Sequence, residues 1–309
     1  MKKALKLWLS ADPNQRFSRK IFQSPLIEAV RCNTGSPVTK SKEPILTEFQ
    51  NDIFPLQTWV DLKCRELRIV KDAIIPSDYL ELNHPIEVKT PTTMYYNEGK
   101  NSVIIDQTNG ENKIHIKPPK NFTGSEKIKF GKGASINIPD DSLKIHDYLT
   151  KNDKEYVEAA KKVGIHNYLL SFVENVSDIN KLLDLDQKAN IVAKIESKKG
   201  LKFVNKEYQT IQKNVRLLAA RADLYIELDQ PHEILNALKL IIQKDPNAIV
   251  GSRILESFVD LQKIPSCGDF TDIGYLLEIG YNSFLLGDDI CSNEMALNSA
   301  IGVFNAIIE

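Results

Sequence analysis

Short apolar runs, each about the length of one buried strand and most followed by a helix-patterned stretch, recur along this 309-residue chain. That alternation leaves few folds open, because repeated strand–helix units build parallel sheets. The runs lie at 5–9, 26–31, 58–62, 166–173, 191–195, 217–220, 248–252 and 282–286. Helical patterns are expected at 150–163, 177–185, 204–213, 232–243, 269–279 and 293–308. Thr150 is placed to cap the first of these, with Asp153 completing a capping-box-like start. No glycine-rich phosphate fingerprint follows the first run, so eight units favour a closed (β/α)8 TIM barrel of the α/β class over an open doubly wound sheet.

One stretch breaks the pattern. Residues 69–141 are rich in Pro, Gly, Asn, Thr and Lys and carry short alternating runs. Examples are Ile86-Glu87-Val88, Val103-Ile104-Ile105 and Lys113-Ile114-His115-Ile116-Lys117, with Asn109-Gly110 as a hairpin signal between the last two. This reads as a small antiparallel module inserted after the third strand. The barrel would then comprise 1–68 and 142–309.

Composition closes off several functions. Lys+Arg 40 against Asp+Glu 41 gives a net charge of -1, no general reason to expect nucleic acid or an anionic membrane as partner. At 42% hydrophobic the chain can build a large core. Cys32, Cys64, Cys267 and Cys291 form no CxxC pair and read as reduced thiols of a cytoplasmic protein. The start, Met1-Lys2-Lys3 and then an apolar run, is too short for a signal peptide, with Asp12, Asn14 and Arg16 following at once. No stretch approaches the roughly 20 apolar residues needed to cross a bilayer.

The C-terminal ends of barrel strands form the active face of such a fold, so charged residues there are candidates for chemistry. Two stand out: Val192-Ala193-Lys194-Ile195-Glu196-Ser197 and Ala220-Arg221-Ala222-Asp223-Leu224. Buried charge needs a partner or a metal. Glu196 and Asp223 offer hard oxygens for a magnesium-like ion, which keeps few protein ligands and shares substrate oxygens. Lys194 and Arg31 suit a phosphate or carboxylate, the first as a point charge and the second as a fork. Asn33, Asp61, Lys63, Glu66, Arg68 and Ser252 complete the set. Taken alone, Ser252 reads equally as a packing residue, Lys132 as a solvated turn lysine, and Asn33 and Asp61 as groups that orient neighbours. The five histidines show no ligand spacing.

These motifs, in order, resemble the pyruvate kinase family over nearly the whole chain. Ala29-Val30-Arg31-Cys32-Asn33-Thr34-Gly35 resembles its Arg-x-Asn-x-Ser motif, and 61–68 its Asp-Thr-Lys-Gly-Pro-Glu-Ile-Arg segment. Residues 132–139 are similar to the Lys-Gly-Val-Asn-Leu-Pro segment that closes its inserted lid, and Leu170-Ser171-Phe172-Val173 to its Ala-Ser-Phe-Val strand. Ala193-Lys194-Ile195-Glu196 matches the catalytic signature. Residues 220–224 match Ala-Arg-Gly-Asp-Leu, and 252–257 resemble Thr-Gln-Met-Leu-Glu-Ser.

The resemblance implies transfer of a phosphoryl group from phosphoenolpyruvate to ADP, giving pyruvate and ATP, with the β module as a lid that excludes water. It implies that Glu196 and Asp223 hold Mg2+ or Mn2+, that Lys194 and Arg31 meet the transferring phosphoryl group, and that Ala222, Asp223 and Ser252 meet the substrate. Ser252 would assist protonation of the enolate. Arg68 and Lys132 would meet the nucleotide, and Asn33 and Asp61 a monovalent cation.

Several departures bear on those roles. Gly35 and Leu62 replace two oxygen ligands of the family's monovalent cation site, which puts a K+ requirement in doubt. Ser36 replaces a histidine of the nucleotide site, Cys64-Arg65 replaces Gly-Pro, Ala222 replaces a glycine, and Glu174 stands where an arginine is common. The chain stops at Glu309, with no room for the family's C-terminal domain, so a homo-oligomer or a partner subunit are both expectations. Two alternatives follow: a metal-dependent lyase or aldolase on a pyruvate-enolate-type substrate, and a non-catalytic phosphoenolpyruvate-binding partner subunit.

Overall fold

The structure is a computed structural model that describes residues 4–36, 38, 40–76, 78–117, 127–261 and 264–308. The basic start, Met1-Lys2-Lys3, lies outside them. Eight strands form the closed sheet: β1 (Lys6–Ala11), β2 (Ile27–Asn33), β3 (Gln57–Leu62), β4 (Asn167–Leu170), β5 (Asn190–Ile195), β6 (Val215–Ala220), β7 (Ile249–Gly251) and β8 (Ser283–Leu285). Each is parallel to the next, and β8 returns to β1. All eight expected strands are present, with ends shifted by up to three residues.

Side chains alternate along a strand, so residues two apart share a face. Trp8, Ala29, Trp59, Leu169, Val192, Leu218, Ala220, Ile249 and Leu285, one or two per strand, form an apolar cluster of their own inside the barrel. The rings of Trp8 and Trp59 lie 4.9 Å apart within it. The intervening residues face the helices and form the larger core. Stepping two residues onward from the plug gives Ser10, Arg31, Asp61, Ser171 and Lys194, and two more gives Asn33, Lys63 and Glu196. Strand periodicity therefore lifts a ring of polar groups directly above an apolar floor.

Helix Lys151–Lys162 carries the expected capping box, with Thr150 and Asp153 satisfying each other's backbone amides. Asp153 does more: both its oxygens accept from the backbone amides of Lys63 and Cys64, at 2.9 and 3.0 Å, which fixes the exit of β3. The helix expected at 204–213 instead spans Lys198–Lys206. Ser197 caps it from the strand end, accepting from Gly200 N at 3.1 Å, which puts Gly200 in the first turn. The expectations passed over Lys42–Ile53 and the short helices Arg221–Glu227, Glu256–Leu261 and Asp288–Cys291. Asp223 is accordingly on the first turn of a helix and not on a strand end.

The inserted residues form a five-stranded antiparallel sheet in the order Ile136–Asn137, Thr92–Tyr96, Asn101–Thr108, Lys113–Lys117, Leu80–Glu81. It has its own core, including Met94, Ile105, Ile114, Ile116 and Phe130. Gly110, at φ +74°, makes the expected hairpin, and the Asn109 side chain accepts from the amides of Glu111 and Lys113, each at 3.0 Å. Pairing runs past the expected boundary at 141, because Lys144–Ile145 pairs with Ile86–Glu87. Leu67 also belongs to the module's core. Among the described residues no helix is long and apolar enough to cross a membrane. All four cysteines are free; Cys32, Cys64 and Cys291 are buried and Cys267 is exposed.

Candidate active site

Asp61, fully buried at the end of β3, is the hub of the barrel mouth. Its Oδ2 accepts from Arg31 Nε at 2.9 Å and from Lys63 Nζ at 2.7 Å, while its Oδ1 lies 3.6 Å from Lys194 Nζ. Burial by itself would raise this carboxyl, but Arg31, then Lys194 and Lys63, outweigh it and hold it well below the usual carboxylate range. Lys194, from β5, also reaches Glu196 Oε1 at 3.0 Å and Ser171 Oγ at 2.8 Å. Burial works against its charge, yet Asp61, Glu196 and Glu66 together raise it above an ordinary lysine. Arg31, Asp61 and Lys194 thus converge above the plug, each charge neutralised by a neighbour.

Glu196 sits differently. Its Oε2 accepts from the backbone amide of Phe172 at 2.7 Å. Burial, with Asp223 and Glu66 as like-charged neighbours, lifts it to about 7 in spite of Lys194. Asp223 is raised by burial and by Glu66, and Glu227, one helical turn on, by burial with Asp223 beside it, to about 8. The module reaches into this acidic corner: Asn137 Nδ2 donates to Asp223 Oδ1 at 3.2 Å and to Glu227 Oε1 at 3.3 Å. A hard divalent ion fits such a pair, since Glu196 and Asp223 offer oxygen donors whose mutual repulsion a cation would relieve. Among the described residues no three His, Cys, Asp or Glu side chains gather into a complete cage, so substrate or water oxygens would have to fill the shell.

The remaining candidates are spread around the mouth. Asn33 accepts from Gly35 N at 3.1 Å and donates to Asp288 Oδ2 at 2.7 Å, so its amide orients a loop end and a carboxylate. Ser252, at φ +66°, follows β7, and its carbonyl accepts from Arg221 Nε at 3.0 Å. Ala222 lies in the first turn of Arg221–Glu227 beside Asp223. Arg68 is tied to Glu66 at 2.7 Å and to the carbonyl of Gly133, in the module, at 2.7 Å. A Cβ on Gly35 would approach Arg68 Nη2 to 2.8 Å, so this glycine makes room for the guanidinium. Lys132 anchors its turn through its backbone amide on Asp72. Arg68, Lys132, Lys63, Lys42, Thr34 and Gly35 line a cleft of about 710 Å³ between barrel and module.

Ser171 and Asp288 escaped the sequence reading, as did Asn137 and Glu227 of the acidic corner. Ser171 is the hydroxyl that Lys194 meets, and the two-residue step from Leu169 would have placed it inside. Asp288, just past β8, accepts from Ser10 Oγ at 2.5 Å and stands 4.0 Å from Arg31. Its position beyond a strand C-terminus was the available signal.

A family profile described as "Pyruvate kinase, barrel domain" matches residues 59–285 of the chain. The chain belongs to the pyruvate kinase family. Pyruvate kinase of Debaryomyces hansenii is 23% identical over 312 residues, spanning 97% of this chain and 58% of the relative. Pyruvate kinase 1 of Saccharomyces cerevisiae is 24% identical over 172 residues, which is 53% of this chain and 33% of the relative. Pyruvate kinase of Thermoplasma acidophilum is 24% identical over 163 residues, or 50% and 29%. The chain therefore spans between a third and three-fifths of the first two relatives. The barrel expected of a pyruvate kinase-like chain is the one observed.

Proposed function

We propose that the protein is a pyruvate kinase-like phosphotransferase, moving the phosphoryl group of phosphoenolpyruvate to ADP. The observation that carries this reading is the meeting of Lys194, Arg31 and the Glu196–Asp223 pair at one barrel mouth. Phosphoryl transfer asks the protein for positioning and positive charge more than for covalent chemistry. Arg31 is braced by Asp61 through Nε and Nη2, each at 2.9 Å, which leaves its outer edge for a phosphate. Lys194, held from three sides, keeps its charge and places it where a transferring phosphoryl group would develop negative charge. Glu196 and Asp223 would hold Mg2+ or Mn2+, and a bound ion would supply charge to stabilise the enolate oxygen. Ser252 would deliver the proton that turns enolate into pyruvate. Arg68 and Lys132 face the cleft in which a nucleoside diphosphate would lie.

The test is release of pyruvate by purified protein given ADP, phosphoenolpyruvate and Mg2+, with and without K+. Turnover no greater than that of Lys194→Ala would sink the reading. A second reading has one observation in its favour: the Arg68 fork is engaged by Glu66 and Gly133, and Gly35 offers no hydroxyl beside it. A metal-dependent lyase on a pyruvate-type enolate needs the divalent site and Lys194 but no nucleotide. Calorimetric ADP binding that disappears in Arg68→Ala argues against it.

A further inference from the structure

The turn that follows β4 connects two parts of the site that the strands alone would leave independent. Ser171 presents its hydroxyl to Lys194 Nζ at 2.8 Å, and the next residue, Phe172, presents its amide to Glu196 Oε2 at 2.7 Å. One dipeptide thus holds both the buried ammonium and the carboxylate. Its backbone is not at rest: Phe172 has φ +49°, a left-handed conformation that a bulky L residue disfavours. Something must hold it there.

Two side chains do so from outside the barrel mouth, and they act on consecutive carbonyls. Tyr148 OH donates to the carbonyl of Ser171 at 3.0 Å, and Arg65 Nη1 donates to the carbonyl of Phe172 at 2.7 Å. The two grips are themselves a unit, since the Arg65 guanidinium lies over the Tyr148 ring, 4.7 Å from its centroid. Arg65 cannot drift, because its Nη1 and Nη2 also donate to Asp178 at 2.8 and 2.7 Å, in the bidentate geometry that only a planar fork provides. Asp178 is buried and accepts in addition from the amide of Glu174 at 2.9 Å. The path from Arg65 to the carboxylate is short: guanidinium to carbonyl, across one residue, amide to Glu196.

We propose that Arg65 and Tyr148, stacked as a pair, are positioning residues that set the divalent-ion affinity of the Glu196 site by gripping the two carbonyls of the turn at Ser171 and Phe172. The proposal rests on the reading of Glu196 as an ion ligand. Neither residue touches substrate or ion; each acts through the peptide that aims the Glu196 carboxylate. Partners one step removed from a ligand commonly govern affinity as strongly as this. Lysine at 65 would keep the charge but lose the second bond to Asp178, made by Nη2, and the flat guanidinium face over the Tyr148 ring.

The experiment is direct Mn2+ binding, read as the free-ion electron paramagnetic resonance signal, without turnover. Wild type, Glu196→Gln, Arg65→Lys, Tyr148→Phe and Asn175→Ala are compared, each with its thermal midpoint. Asn175 caps helix Val176–Leu183 through the Asp178 amide at 3.0 Å, so Asn175→Ala loosens the helix while removing no hydrogen bond made by Arg65 or Tyr148 themselves. Arg65→Lys is expected to weaken Mn2+ binding by about 10-fold or more. Tyr148→Phe, which keeps the stacked ring, should weaken it by roughly 2–5-fold. Asn175→Ala should lower the midpoint and leave Mn2+ affinity unchanged. Unchanged affinity in both Arg65→Lys and Tyr148→Phe would overturn the proposal while leaving the ion site standing. So would a loss in Asn175→Ala as large as that in Arg65→Lys, since the effect would then follow helix stability. Wild type that binds no Mn2+, or Glu196→Gln that binds it equally well, would remove the ion reading and this proposal with it.

Discussion

Asp61 is the residue on which the charge balance of the mouth depends. Arg31, Lys63 and Lys194 all lean on its one carboxylate, and it has no water-exposed surface of its own. Replacing it by Asn keeps the shape and removes the charge, leaving three cations together in a poorly solvated place. We expect Asp61→Asn to lose about 3–5 kcal/mol of stability in denaturant titrations, the range found when one partner of a buried pair is removed. A loss under ~1 kcal/mol would mean that the cations spread apart freely. Ser252 allows a separate test. Its carbonyl is already held by Arg221, so Ser252→Ala should leave the fold intact. If its hydroxyl supplies the proton, kcat should fall by roughly 10²-fold, while phosphoenolpyruvate KM holds. A normal kcat would return Ser252 to packing.

Two elements set the acidic corner. The helix Lys198–Lys206 begins at once after Glu196, and Gly200 in its first turn approaches β4's exit closely. A Cβ there would stand 2.9 Å from the carbonyl oxygen of Val173 and 3.3 Å from Ile195 Cγ2. Gly200→Ala should therefore push the helix outward and cost about 1–3 kcal/mol, measured by urea unfolding, because the obstacle is backbone and cannot swing aside. A neutral or stabilising result would contradict the close approach. The strand Ile136–Asn137 belongs to the module but ends in the site, where Asn137 bridges Asp223 and Glu227. Asn137→Ala should leave each core folded and speed amide exchange at Ile136–Asn137 and Arg221–Glu227 together. Exchange rising in only one of the two would deny that the amide joins them.

At the scale of the whole molecule, four buried carboxylates of the barrel mouth form two groups that respond to pH in opposite senses. Asp61 and Glu66 are held low by neighbouring cations against their burial, so they favour the fold above the ordinary carboxylate range, and that contribution is lost as pH falls. Glu196 and Glu227, raised to about 7 and about 8, bind protons in the folded state that the unfolded chain has already released. Without a divalent ion, their contribution to stability falls as pH rises from roughly 5 to 8. We expect melting midpoints in a chelator to decline across that window, and the decline to shrink in Glu196→Gln. Added Mn2+ should reverse it, and its affinity should fall as pH drops below about 7, since binding displaces a proton. A flat profile in chelator for wild type would contradict the raised values.

Much of this molecule was written in the order of its residues, for a physical reason. A barrel strand advertises itself by an apolar run of fixed length, and the C-terminal ends of such strands form the active face, so Lys194, Arg31 and Asp61 could be placed at the mouth from the sequence. The capping box at Thr150 and the turn at Asn109-Gly110 were equally local. What depends on distance in the chain was not legible. Asp223 moved to a helix because β6 gives way to it without an intervening loop, and helix Lys198–Lys206 started early because Ser197 could cap it. Asp288 meets Ser10, and Arg65 meets the Phe172 carbonyl, only because the closed sheet sets those ends side by side. Periodicity is a property of neighbours along the chain and can be read from them. Charge neutralisation, and the raised or lowered acidity that follows from it, is a property of neighbours in space, and only the folded barrel decides who they are.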